Sequence, residues 1–132
     1  MKRKRIAITY PHFGSGGSEA RALWALQALG RDYDVSLITF GPVNLSRLNE
    51  YYGTTLQSAD FSLLRVPLPP GLEGSKLSVL KSRFFQRYCR RVAPQFDLMI
   101  SAYNPCDFGM PGIQCIADFS FLPEQRFNLD PV

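Results

Sequence analysis

The sequence predicts an α/β domain built on one parallel sheet with helices on both faces. Three observations carry that expectation. Short, near-continuous apolar runs recur along the chain, the pattern of strands covered on both sides. Segments of helical periodicity separate them, so strand and helix alternate. The ten glycines and ten prolines fall at the junctions between these segments and not in a low-complexity tract. A length of 132 residues suits one domain, and a hydrophobic share of 45% is enough to fill a core. No internal repeat is present.

Residues 6–10 (IAITY) read as the first strand. A glycine-bearing turn comes next, and then a helix in which Ser18 is the expected N-cap. Glu19 falls in its first turn, where a carboxylate complements the helix dipole. Ala22, Leu23, Leu26 and Leu29 recur at helical spacing, and Gly30 supplies the stop. Residues 35–40 (VSLITF) are the second strand, ended by Gly41 and Pro42. Residues 46–52 form a short helix closed by Gly53, and residues 61–66 a third strand stopped by Pro67. The punctuation of residues 67–74 (PLPPGLEG) marks a loop. Ser75 caps a longer helix that runs to about Val92, with Pro94 beyond its end. Residues 96–101 (FDLMIS) are the fourth strand, residues 104–112 a loop rich in turn formers, and residues 113–117 a short fifth strand.

The alternation implies crossover connections and an all-parallel sheet of about five strands, a Rossmann-like three-layer domain over residues 1–122. Residues 123–132 are expected to be a polar tail or the start of a continuation. In such sheets ligands bind beyond the carboxyl ends of the strands, where the strand order reverses. The first and fourth strands are expected to flank that point, so the turns after Tyr10 and after Ser101 should face each other.

Several function classes are excluded at this level. No apolar run approaches the roughly 18 residues of a membrane span. The basic start, Met1 to Arg5, leads into an apolar run far shorter than the roughly 7–15 residues of a signal peptide, so a retained, cytoplasmic N-terminus is expected. Cys89, Cys106 and Cys115 form no C-x-x-C pair, and reduced, partly buried thiols are expected. With His12 the single histidine, no metal site and no cofactor are expected. The net charge of +4 permits an anionic partner, but no nucleic-acid-binding motif accompanies it.

The turn from Tyr10 to Glu19 (YPHFGSGGSE) joins a strand to a helix N-terminus, which suits an anion. The dinucleotide fingerprint G-x-G-x-x-G would start at Gly14 and Gly16, but Glu19 holds its third glycine position. The acidic residue expected near the end of the second strand is missing too. A phosphate-binding P-loop needs G-K-[ST], and no lysine comes after these glycines.

What remains is a turn that resembles that of GT-B glycosyltransferases. The chain is similar to the N-terminal lobe of the large retaining family, glycosyltransferase family 4-like, that includes bacterial α-glycosyl and α-mannosyl transferases. Gly16-Gly17-Ser18-Glu19 looks like the family's G-G-x-E turn. The helix from Ala20 to Leu29 and the run Tyr33-Asp34-Val35 to Phe40 match its first helix and second strand. Residues 96–101 resemble its fourth strand, and Phe108-Gly109-Met110-Pro111-Gly112-Ile113-Gln114 resembles the segment after that strand. The likeness spans nearly the whole chain, although each motif alone is degenerate.

The resemblance implies transfer of a sugar from a nucleotide-sugar donor to a sugar, glycan or lipid-linked acceptor. Gly16 and Gly17 would then offer backbone N–H groups to the distal donor phosphate, stabilising charge on the leaving diphosphate. The family often carries a histidine after its fifth strand. Here Asp118 occupies that neighbourhood, which puts the histidine's role in doubt and leaves Asp118 to orient a hydroxyl or to cap a helix. His12, Asn104 and Asp107 are candidate acceptor contacts. The helix from Lys76 to Val92 has Leu77, Leu80, Phe84, Tyr88 and Val92 on an apolar side and Lys76, Arg83, Arg87 and Arg90 beside it. It reads as a sheet-covering helix, or else as a peripheral contact with the anionic inner face of a membrane. The family's second, nucleotide-binding lobe has no counterpart, and no two glutamates have the E-x-x-x-x-x-x-x-E spacing. The chain alone is therefore expected to be inactive. The alternative is a stand-alone Rossmann-like module that binds a phosphorylated small molecule or a protein partner without catalysis.

Overall fold

The computed structural model describes residues 2–13, 18–72, 78–103 and 105–116. Five parallel strands form one sheet: β1 (Arg5–Thr9), β2 (Asp34–Thr39), β3 (Ser62–Arg65), β4 (Leu98–Ser101) and β5 (Ile113–Gln114). Their order is β3-β2-β1-β4-β5. Three helices accompany them: α1 (Glu19–Leu29), α2 (Leu45–Tyr52) and α3 (Ser78–Val92). The domain is Rossmann-like with three layers, and the order reverses between β1 and β4 as the sequence implied.

The layers arise from side-chain alternation along strands buried on both faces. Ile6 and Ile8 of β1 and Val35 and Leu37 of β2 pack with Ala22, Leu23 and Leu26 of α1 and Leu48 of α2. Ala7 and Ile38 point the other way, onto Phe85, Cys89 and Val92 of α3. Truncating such a fully buried Ile or Leu to Ala typically costs about 2–5 kcal/mol.

Several sequence-level expectations need correction. Ser18 precedes α1, but its side chain makes no capping bond. Its hydroxyl is within 2.8 Å of the Tyr10 hydroxyl instead. α2 starts a residue early, capped by Asn44, whose side chain accepts from the Arg47 N–H at 3.2 Å. Gly53 does close it, at φ 75°, a conformation that a Cβ would strain.

The expected apolar side of α3 is displaced. Phe85 and Cys89 are buried with Val92, while Leu80 is exposed and Phe84 and Tyr88 are half-buried on the flank. Adjacent Phe84 and Phe85 made two stripes equally good by spacing, and the sheet selects the one with the small Cys89. Lys76, Leu77 and Ser75, the expected cap, lie outside the described residues. β5 is two residues long and exposed, shorter than expected, and Ala117 lies outside the described residues.

Among the described residues, the link from β4 to β5 contains no helix. Residues 102–103 and 105–112 run as irregular chain, with Cys106 and Phe108 buried against α3. Gln114 fixes this path by accepting from the Cys106 N–H at 2.8 Å and donating to its carbonyl at 2.9 Å. Cys89 and Cys106 are free and buried, and their thiols are hydrogen-bonded to each other. That bond, reinforced by burial, pushes the Cys89 pKa up.

At Gly112 a Cβ would lie 2.6 Å from the Met99 carbonyl oxygen and 3.0 Å from the Phe108 ring. Since the carbonyl belongs to β4, it cannot retreat without breaking the sheet. Gly112→Ala is expected to destabilise the fold by about 1–3 kcal/mol in urea unfolding, the usual cost of overpacking. Gly41→Ala, whose Cβ meets nothing within 4 Å, should stay within about 0.5 kcal/mol.

Candidate functional site at the switch point

The carboxyl ends of β1 and β4 lie side by side, with Thr9 in register with Ser101. The pairing runs on past the strands: the Ala102 N–H donates to the Thr9 carbonyl at 3.0 Å, and the Tyr10 N–H to the Ile38 carbonyl at 3.0 Å. Beyond this point the chain leaves the sheet. The Phe40 N–H and the Thr39 hydroxyl both donate to the Pro11 carbonyl, each at 2.9 Å, which fixes the exit direction.

Tyr10 is the anchor of the turn. Its ring is buried on the α1 side, 4.7 Å from the Phe13 ring and 5.8 Å from that of Tyr103. Its hydroxyl meets that of Ser18, so one hydrogen bond ties the exit of β1 to the start of α1. Burial raises the Tyr10 pKa although the bond to Ser18 opposes this, so the phenol stays protonated at neutral pH.

At the N-terminus of α1 Glu19 lies in the first turn, as the sequence implied, but its carboxylate is buried. Glu19 is 2% exposed and accepts from the Tyr52 hydroxyl of α2 at 2.9 Å. A buried carboxylate needs such donors. Desolvation, then the bond to Glu19, pushes the Tyr52 pKa up to about 12. Arg21, on the same helix, donates from Nη1 to the Ala102 carbonyl at 3.5 Å, a long contact that spans the crevice from α1 to the exit of β4.

His12 lies on the other side of the turn. Its ring stacks on Phe40, with centroids 5.1 Å apart and planes at 27°. Partial burial of the ring, then the positive charge of Lys81 on α3, lowers its pKa, so the imidazole is neutral at pH 7. The hydroxyl of Thr9, which is 1% exposed, has no hydrogen-bond partner among the described residues.

Of the residues singled out from the sequence, His12 is placed just beyond β1, against Phe40 at the exit of β2. Asp107 lies on the β4–β5 crossover, paired with Arg90 of α3 at 3.1 Å and accepting from the Gly109 N–H at 2.9 Å, which accounts for it structurally. Gly16, Gly17, Asn104 and Asp118 lie outside the described residues. Tyr10, Tyr52, Tyr103, Arg21 and Lys81 were missed by sequence reasoning. Tyr103 comes after β4 much as Tyr10 comes after β1, a parallel that only the strand order makes meaningful. Among the described residues, no three His, Cys, Asp or Glu side chains could hold a metal ion. No helix among them is long and apolar enough to cross a membrane.

No protein-family model and no curated protein matches this chain. Among solved structures it is similar to the C-terminal domain of the PF1911 hydrogenase from Pyrococcus furiosus. The identity is 16% over 83% of this chain and 81% of that one, with a TM-score of 0.38. So loose a superposition says nothing about activity.

Two titrations test the electrostatics of the crevice. Replacing Lys81 by Gln should raise the His12 pKa, read from imidazole shifts in an NMR titration; an unmoved midpoint would remove Lys81 from the site. The Tyr52 pKa is raised in the folded state, so its contribution to stability is complete below pH 10 and lost as pH rises towards 12. Tyr52→Phe should therefore flatten the fall in urea midpoint above pH 10, and an unchanged alkaline slope would assign that fall to other groups.

Proposed function

We propose that this domain is one lobe of a GT-B glycosyltransferase, facing both the donor diphosphate and the acceptor. The supporting observation is the crevice between β1 and β4, where the chain leaving β1, the N-terminus of α1 and Arg21 converge. In doubly wound sheets that crevice is where ligands sit, and backbone N–H groups at a helix start favour phosphate.

On this reading Gly16 and Gly17 turn their backbone N–H groups towards the distal phosphate of a nucleotide sugar. The bond that breaks joins the sugar's anomeric carbon to that phosphate, and the new bond forms to an acceptor hydroxyl oxygen, whose proton passes to the departing diphosphate. Charge grows on the departing diphosphate, and fixed donors at the turn stabilise it as it grows. The acceptor, a sugar, glycan or lipid-linked hydroxyl, approaches past His12, whose neutral imidazole can accept a hydrogen bond at pH 7. Asn104 and Asp118 serve as further hydroxyl contacts. Asp107 can join them only by giving up its exposed pairing with Arg90. A second, nucleotide-binding lobe supplies the rest of the donor pocket, as in any GT-B enzyme.

Titrating the isotopically labelled chain with pyrophosphate, UDP-glucose and GDP-mannose tests the assignment. All three are expected to shift the amide signals of residues 16–19, weakly, while uridine leaves them in place. Gly17→Val should abolish the response. Absence of any shift at these amides with all three diphosphates would overturn the diphosphate site. Equal response to inorganic phosphate would favour a simple phosphate-binding module instead. Sugar transfer by the 132-residue chain alone is not expected, and measured turnover would contradict the two-lobe reading.

A further inference from the structure

A second concavity lies away from the switch point, between the chain leaving β3 and the outer flank of α3. It has a volume of about 550 Å³. Pockets that hold small ligands run to roughly 300–1,000 Å³, with mostly apolar walls and few polar groups. The wall formed by Val66, Pro67, Leu68 and Pro69 faces Phe84 and Tyr88 across the groove, and two cations, Arg87 and Arg91, complete the lining. Proline has no backbone N–H, so that wall offers few donors of its own. Polar recognition therefore falls to the arginines.

Arg87 and Arg91 stand at i and i+4 on one face of the helix, close enough for both guanidinium groups to reach one ligand. The neighbouring Arg90 is paired with Asp107, whereas neither Arg87 nor Arg91 has an ion pair among the described residues. Arg91 is held in place all the same: its guanidinium carbon lies 5.3 Å from the centroid of the Tyr88 ring. An arginine stacked on an aromatic face keeps its N–H edge for a planar or phosphate-like acceptor. The groove thus presents two positive charges at the rim of an apolar trough.

We propose that this groove binds a phosphate monoester carried on an alkyl or aryl body. Its dianionic head matches the two guanidinium groups, and its apolar part lies along Leu68, Phe84 and Tyr88. The ligand is a single molecule taken from solution and not a membrane surface, because the apolar contacts lie inside a trough and do not project from the helix. This site is separate from the switch-point crevice and does not depend on the transferase reading.

The test uses dodecyl phosphate below its micellar concentration, titrated into the 132-residue chain by calorimetry, with binding located by NMR. Dodecyl phosphate is expected to shift signals of Leu68, Phe84 and Tyr88 and to bind at least tenfold more tightly than dodecyl maltoside, which has the tail without the charge. Inorganic phosphate, with the charge but no tail, should also bind at least tenfold more weakly. Arg87→Gln with Arg91→Gln should lower the affinity at least tenfold with the thermal midpoint and circular dichroism unchanged. Equal affinity of wild type and double variant, or equal affinity for the phosphate and the maltoside, would overturn the proposal. Cosedimentation with phosphatidylglycerol vesicles, lost in the double variant, would replace it with a membrane contact. Shifts confined to residues 10–19 would place the anion at the switch point and overturn it as well.

Discussion

The structure depends on β1 being paired on both edges and covered on both faces. Ile6, Ala7, Ile8 and Thr9 are all buried, with β2 bonded along one edge and β4 along the other. A strand so enclosed has no free donors for water, and its only polar exits are its two ends. Because the chain moves outward from β1 to β2 and β3 before returning to β4, its first two crossovers use one face and the next uses the other. The faces therefore separate above the carboxyl end of β1. Pro11, His12 and Phe13 emerge from the carboxyl end of β1 towards that gap.

Most of this architecture was legible because double burial leaves a plain mark. Residues 6–10, 35–40 and 96–101 are apolar runs too short for helices, and parallel pairing leaves no alternation to confuse them. Where burial is one-sided or absent, the sequence signal weakens. β3 is largely exposed at the sheet edge, and β5 is two exposed residues. Their extents are set by hydrogen bonding to a neighbour, which no local pattern records. The buried face of α3 was hidden for a related reason. With Phe84, Phe85, Tyr88 and Cys89 in succession, helical spacing admits two apolar faces, and the choice is made by the closeness of the sheet.

The crossover after β4 carries the same lesson further. Its prolines, glycines and asparagine mark a loop correctly, yet Cys106 and Phe108 take the place of a helix face against α3. Nothing in local propensity distinguishes a surface loop from one whose side chains fill a core. The Gln114 bonds to both backbone groups of Cys106 supply what a helix would have satisfied internally. The candidate site was legible in part. The glycine turn and His12 are given by order along the chain, whereas Arg21, Lys81, Tyr52 and Tyr103 reach it from four other segments.

Glu19 shows how those segments are joined. A carboxylate at a helix start normally gains from the dipole while remaining in water. Here it is nearly inaccessible and takes a proton donor from α2, while its neighbour Ser18 meets Tyr10 at the end of β1. Tyr10 in turn stacks edge-on against Tyr103 beyond β4. Tyr10, Ser18 and Glu19 therefore tie the start of α1 to the ends of β1 and β4 and to α2. The same carboxylate also offsets part of the positive potential of α1 internally. The positive end of α1 is thus met within the fold, and Arg21 is a cation that reaches across the crevice to the exit of β4.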